Sequence, residues 1–357
     1  MNRSLAAALT VFSVYLWGDF QVGAQDTIRY LERATKETVS ASGAVLEESP
    51  AQVVCKLAGS AVKTIPAADI LDIVYDVPAS VRLSYRSAIA EERKLSDPST
   101  KEEDRKKAFS EALKSYREIQ PRLAGEKSKL AERHVQFKIA RVLAWWSEED
   151  RGQLEASVAA LTRFLKEHGD GWQVSHAAKL LAEIQLDAGN VEGARKTYQD
   201  LAATPHVPAE IQEECEFGIV DALIRAKKLA EAEARLQALS KRVLPDSPRA
   251  IRVSIYEAKC HGASGKLAEA VAQLESILAK TDDKSLKAAA YNALGNCYRL
   301  NRKPREALWP YLWVDVIYHQ DRQEHAKAMA ELAKLFEEQG NAARGREYRD
   351  RLRREPR

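Results

Sequence analysis

Asn292 and Asn296 stand four residues apart, a spacing that puts both side chains on one face of a helix. Each amide can donate and accept, so the pair suits the backbone of an extended peptide. Residues able to do covalent or metal chemistry lack the spacing for it. His134, His168, His176, His206, His261, His319 and His325 are scattered, and His319 and His325 are six apart rather than the four that would align them. Glu148-Glu149 and Glu213-Glu214 are adjacent in sequence and point apart on a helix. There is no glycine-rich phosphate loop, no Gly-x-Ser-x-Gly elbow and no His-Glu-x-x-His motif. Cys55, Cys215, Cys260 and Cys297 show no Cys-x-x-Cys spacing. The expectation is a chain with no catalytic, metal or cofactor site.

Charge narrows the class further. The 357 residues carry 55 Lys and Arg against 52 Asp and Glu, for a net charge of +3 with the signs interspersed. A nucleic-acid-binding protein should carry a basic stripe instead. A hydrophobic fraction of 45% is ordinary for a globular chain.

The elements that must position any site are helices in pairs. Residues Ala290 to Val314 read as a helix, a polar turn and a second helix. Leu294, Gly295 and Tyr298 share one face of the first; Ala307, Tyr311 and Val314 share one face of the second. Gly295 and Ala307 are small where the two helices cross, with aromatic rings expected to fill the space on either side. The small position recurs at Ser157, Ala194, Ala232, Ala270, Ala307 and Gly345, at spacings of 37, 38, 38, 37 and 38. A bulky residue follows four later at Leu161, Tyr198, Leu236, Leu274 and Tyr311, a rule that only Arg349 breaks. A fixed period marks a solenoid. Ala112 and Tyr116 echo the pattern in a divergent first pair, giving about seven pairs from Pro78 onward. Cys260 and Cys297 fall at equivalent places on neighbouring first helices; buried free thiols are favoured over a disulfide, because stacked helices lie about 8–10 Å apart and a bridge needs Cα atoms within about 7 Å.

The Leu-Gly-x-x-Tyr run at 294–298 followed by the Ala-x-x-x-aromatic run at 307–311 resembles the tetratricopeptide repeat. The period exceeds the usual length of about 34 residues, which is read as one extra helical turn per pair. The resemblance implies a scaffold whose first helices line a concave groove for a peptide or helix. Carried onto this sequence, the groove side includes Lys179 and Glu183, Phe217 and Asp221, Arg252 and Lys259, Asn292, Asn296 and Arg299, and Lys334. Arg252, Lys259 and Arg299 could pair a carboxylate there. The carboxylate clamp of chaperone-binding members is not reproduced, so the resemblance does not extend to a Glu-Glu-Val-Asp tail.

Two segments precede the solenoid. Residues 1–24 read as a secretory signal: Arg3, an apolar run from Leu5 to Trp17, and Val22-Gly23-Ala24 for cleavage before Gln25. Cleavage is favoured over anchoring, because a spanning helix needs about 20 apolar residues. No later stretch is apolar enough to cross a bilayer. Residues 25–77 hold short β-branched runs between turn signals, read as strands near Thr27–Leu31, Thr38–Leu46, Gln52–Leu57, Val62–Ile65 and Ile70–Tyr75, with Gly43 marking a bend or bulge. Five short strands suggest a small barrel of the SH3-like or Sm-like kind, which either caps the solenoid or binds on its own. Residues 78–357 form the solenoid, ending in an arginine-rich helix that is either a solvated face or a contact for an acidic partner.

The expected protein is therefore an exported bacterial tetratricopeptide-repeat protein, periplasmic or secreted, that binds a protein or peptide without catalysis. The alternative is a structural or accessory subunit of a secretion or wall-building assembly, with contacts through the β domain and the solenoid ends. A homo-oligomer is possible, and stable self-association would favour the second reading over the first.

Overall fold

In a computed structural model, the protein is described over residues 25–354 apart from 36, 60, 61, 98 and 124–128. The expected signal segment, 1–24, lies outside the described residues.

The chain opens with β1 (Asp26–Glu32), β2 (Glu37–Glu48), β3 (Gln52–Leu57), β4 (Val62–Pro66) and β5 (Ile70–Val74), where the strand signals predicted them. They form one antiparallel sheet in the order β4-β3-β2-β1-β5. The expected barrel is not closed: β4 and β5 are opposite edges, joined only by a short 3-10 turn at Ala67–Asp69. The physical reason is that helices do the covering. Ile28, Val53, Cys55, Ile65, Ile70 and Ile73 of the sheet share one apolar core with Val81, Tyr85, Phe109, Tyr116 and Val135 of the first helices. Gly43 is required by a close approach, since a Cβ there would run into the backbone carbonyl of Lys56. The bulge itself sits two residues on, between Val45 and Glu47.

Fourteen α-helices follow among the described residues, in seven pairs. They are α1 (Ala79–Ser96) with α2 (Glu102–Ile119), α3 (Lys129–Glu149) with α4 (Leu154–Glu167), and α5 (Val174–Asp187) with α6 (Val191–Ala203). Next come α7 (Ala209–Arg225) with α8 (Leu229–Ser240), α9 (Pro248–Ala263) with α10 (Leu267–Lys280), α11 (Lys284–Leu300) with α12 (Pro304–Val316), and α13 (Arg322–Glu338) with α14 (Ala342–Arg354). Local chemistry sets the boundaries. Asn190 caps α6 through the Gly193 N–H, Ser247 caps α9, and Asp283 and Asp321 cap α11 and α13. Gly189 and Gly265 take the left-handed conformation that ends α5 and α9.

The sequence period maps onto the packing. Ser157, Ala194, Ala232, Ala270 and Ala307 are all fully buried, as are Leu161, Leu236, Leu274 and Tyr311. A Cβ on Gly295 would lie 2.6 Å from the Tyr311 ring, so the glycine lets α11 and α12 approach. Gly295→Ala is expected to cost about 1–3 kcal/mol through overpacking, read as a lower midpoint of chemical denaturation. Tyr298 and Tyr311 fill the crossing as expected, but Trp309 and Trp313 face outward at 69% and 45% exposure. All four cysteines are buried free thiols; Cys297 packs against Gly262 of the preceding repeat.

The solenoid curves until its ends meet. Arg353 on α14 donates to Glu149 at the end of α3, at 3.0 Å and across 204 residues, and Glu149 also holds Arg105 of α2 at 2.9 Å. Arg322, at the start of α13, reaches the Thr38 hydroxyl of β2 at 3.5 Å. The terminal arginines thus serve the ring: Arg351 binds Asp315, Arg349 binds Glu337, and Arg353 joins the two ends.

Candidate functional site

The inner wall of the ring is built from the first helix of each pair. Lys179 and Glu183 come from α5, Glu214, Asp221 and Arg225 from α7, and Arg252, Tyr256 and Lys259 from α9. Asn292, Asn296 and Arg299 come from α11, and Glu324, Lys327, Glu331 and Lys334 from α13. Most of these residues tie one repeat to the next. Lys179 pairs with Glu214, Lys259 with Asp221, and Arg299 with both Glu331 and Glu338. Lys334 pairs with Glu331 on its own helix.

Far repeats converge here. The Lys327 ammonium is opposed by desolvation, yet Glu324 and, across the ring, Tyr256 and Asp221 hold it above the ordinary lysine value. Desolvation would raise the Asp221 carboxyl, but Lys259, Arg225 and, more weakly, Lys327 hold it down. Side chains from α7, α9 and α13 therefore share one electrostatic environment, although they lie two and three repeats apart.

Two predicted residues take other roles. Phe217 is fully buried and does not reach the groove surface; it packs on Tyr256 with ring centroids 4.9 Å apart and lies under the Arg252 guanidinium at 4.5 Å. An aromatic residue at that helical position serves the core between α7 and α9. Asn292 is 9% exposed and its Nδ2 donates to the backbone carbonyl of Glu324 at 2.9 Å and to its carboxylate at 2.7 Å. It is a tie between α11 and α13, and its buried Oδ1 has no hydrogen-bond partner among the described residues. Asn296 and Arg252 remain half-exposed, with neither an ion pair nor a side-chain hydrogen bond among the described residues. On α9, Tyr256 offers a ring one turn on from Arg252, with the Lys259 Nζ 4.4 Å from its centre.

A second cluster, where β5 and α1 meet α3, went unseen in the sequence. Lys138 is buried between Asp72 of β5 at 2.7 Å and Glu92 of α1 at 3.0 Å. Arg141 also binds Glu92, and the Tyr116 hydroxyl donates to Glu92 at 2.6 Å. His134 completes it, with Nε2 3.2 Å from Asp72 and Nδ1 3.4 Å from the Gln173 amide. Those two contacts suit a neutral ring protonated at Nε2. Burial drives the carboxyls of Asp72 and Glu92 up, but Lys138 and Arg141, with His134 at Asp72, outweigh it and keep both ionised below their ordinary range. The sequence signal was present: His134, Lys138 and Arg141 fall at i, i+4 and i+7 on a helix otherwise rich in apolar residues. The cluster pins the sheet to α3 through paired charges, although Asp72 Oδ1, His134 Nε2 and Arg141 Nε find no well-directed hydrogen bond among the described residues.

Among the described residues no group of three or more His, Cys, Asp or Glu could hold a metal ion, and no helix is long and apolar enough to cross a membrane.

Residues 146–208 match the sequence profile of the tetratricopeptide repeat family. No curated protein matches the chain. Among solved structures, a tetratricopeptide repeat protein from Parabacteroides merdae ATCC 43184 aligns at 14% identity and a TM-score of 0.40, over 76% of this chain and 93% of that one. The apo form of RapI aligns at 17% and 0.42, over 78% and 97%. A Rap protein complexed with competence and sporulation factor aligns at 15% and 0.37, over 76% and 74%.

Proposed function

We propose that this solenoid of tetratricopeptide-type repeats is a non-enzymatic scaffold that holds a segment of a partner protein against the inner wall of its ring. The observation that carries the reading is the unequal use of that wall. Lys179, Lys259, Arg299 and Lys334 are committed to ion pairs, whereas Arg252 and Asn296 present a cation and an amide with neither an ion pair nor a side-chain hydrogen bond among the described residues, beside the Tyr256 ring that the Lys259 ammonium overlies. A peptide strand fits that set: the Asn296 amide can take its backbone, Tyr256 an apolar side chain, and Arg252 a carboxylate.

The place of action belongs to the same proposal: export through residues 1–24 into a bacterial envelope or beyond, tested by the mass of the native protein's N-terminus. Contacts through the solenoid ends, as a structural subunit would need, compete with the Arg353–Glu149 pair that already joins them. The test is crosslinking capture from the native envelope with the wild type and with Arg252→Ala, Asn296→Ala, Asn292 being left intact because it ties α11 to α13. The double variant should retain its helical circular dichroism and bind the captured segment about 10- to 100-fold more weakly, the worth of one charged hydrogen bond. Unchanged capture moves the site off this wall.

A further inference from the structure

Of the nine large apolar side chains exposed among the described residues, four lie on the outer face of α12 and its C-cap: Trp309 at 69%, Trp313 at 45%, Val316 at 62% and Ile317 at 44%. Their spacing of four, three and one is that of a helix seam awaiting another helix. The face is outside the ring and takes no part in the proposed groove. The other exposed large apolar residues do not gather into a stripe of this kind on any other helix, and isolated ones need no explanation. Trp313 is held in place by stacking on Tyr291, with centroids 5.9 Å apart and an interplanar angle of 10°. An apolar face built on a braced aromatic is pre-organised for docking.

The face has a sense of direction. Arg302, Lys303 and Arg305 gather at its N-terminal end, all exposed, against a single Glu306. At its C-terminal end the carbonyl pole of α12 and the Asp321 carboxylate are offset by the N-terminus of α13, which Asp321 caps, and by Arg322 beside it, so that end carries little net charge. Such a face is complementary to itself when turned end for end. Trp309 and Ile317 are each four residues from Trp313, so a two-fold axis at Trp313 lays each of them against the other in the second copy. The same rotation brings Arg305 to the far helix end, away from the basic cluster of the partner helix, so the like charges of the two copies do not meet. An anionic membrane would attract one end and gain nothing at the other.

We propose that the outer face of α12 is the contact between two copies of this chain, packed antiparallel about a two-fold axis near Trp313. The four side chains expose on the order of 400 Å² per copy. Two copies then approach the ~1,000 Å² of a biological interface once the charged rim is added. The affinity expected is moderate, with a dimer dissociation constant of ~1–100 µM.

Sedimentation velocity on the full chain over a concentration series tests this. The wild type shifts from monomer to dimer as concentration rises. Trp313→Arg and Trp313→Glu are each monomeric, because like charges meet on the axis, and an equimolar mixture of the two recovers the dimer. Trp309→Ser, at the most exposed position, raises the dissociation constant at least about tenfold without altering the circular dichroism. A wild type that stays monomeric overturns the proposal, as does a dimer that survives Trp313→Arg or a mixture that recovers none. A monomer that binds phosphatidylglycerol vesicles through Trp309 overturns it too, and assigns the face to lipid.

Discussion

Glu92→Gln should lower the folding free energy by about 3–5 kcal/mol, the cost of leaving a buried ionic group uncompensated. Glu92 is 5% exposed and neutralises two cations, Lys138 and Arg141, while accepting from Tyr116. Its loss leaves Asp72 to face both cations from the sheet side, and the glutamine offers one uncharged acceptor oxygen to three donors that two carboxylate oxygens shared. Exposed pairs such as Lys106–Glu102 provide the contrast, because solvent screens them and Lys106→Ala should be close to neutral. The measurement is the midpoint of urea unfolding followed by helical dichroism, with the slope compared to confirm that the same surface unfolds. Equal midpoints for Glu92→Gln and Lys106→Ala would show that the cluster is not the clasp between sheet and helices.

Acid should weaken the fold in two steps. Burial among Tyr75, Phe137 and Trp172 pushes His134 down to about 4, with Asp72 only partly opposing it, whereas an unfolded histidine titrates near 6.5. Between those values the unfolded chain takes up a proton that the folded chain refuses. Stability is therefore complete above about pH 6.5 and is lost as the pH falls towards 4, by roughly 3 kcal/mol for this one group. Burial pushes His176 down to about 4 as well, so it adds to the same window. Asp72 and Glu92 act in the opposite region: their folded values are depressed, so their contribution persists through that first window and disappears only below the ordinary carboxylate range. Unfolding free energies measured from pH 7 to 3 should show both slopes. His134→Leu should remove one proton's share of the upper slope and leave the lower one in place; an unchanged upper slope would mean that His134 titrates normally in the fold.

Repetition made most of the architecture legible. Ser157, Ala194, Ala232, Ala270 and Ala307 are small because two helices cross at each of them, and that demand recurs once per pair whatever the surroundings. The strands were legible because β-branched runs alternate between turns. Closure of the sheet was not, because it depends on what else covers the apolar face, and α1 to α3 do so. The groove was only partly readable. A polar residue on the first helix reads the same whether it awaits a ligand or ties two repeats, and Lys179, Lys259 and Arg299 do the latter through partners 32 to 39 residues away. Phe217 looked like a groove side chain and is core, since neighbouring helices decide which flank of a helix is covered. The polar stripe His134, Lys138 and Arg141 on an apolar helix hinted at the cluster, but its partners Glu92 and Asp72 lie 46 and 66 positions from Lys138, so no local pattern names them.

The Arg353–Glu149 pair has a consequence for access. A partly exposed ion pair is worth about 1 kcal/mol or less, far below the loop-closure cost of several kcal/mol for bringing together chain positions 204 residues apart. The pair therefore cannot be what curls the solenoid; stacking of successive repeats brings the ends together, and the ion pair only fastens them. A clasp that weak opens often under thermal motion, and salt loosens it further. A partner segment in the middle of a folded chain has no free end to thread through a ring. Sideways entry to the proposed site at Arg252 and Asn296 would need α14 to part from both α3 and α1, and Arg322 from Thr38, together.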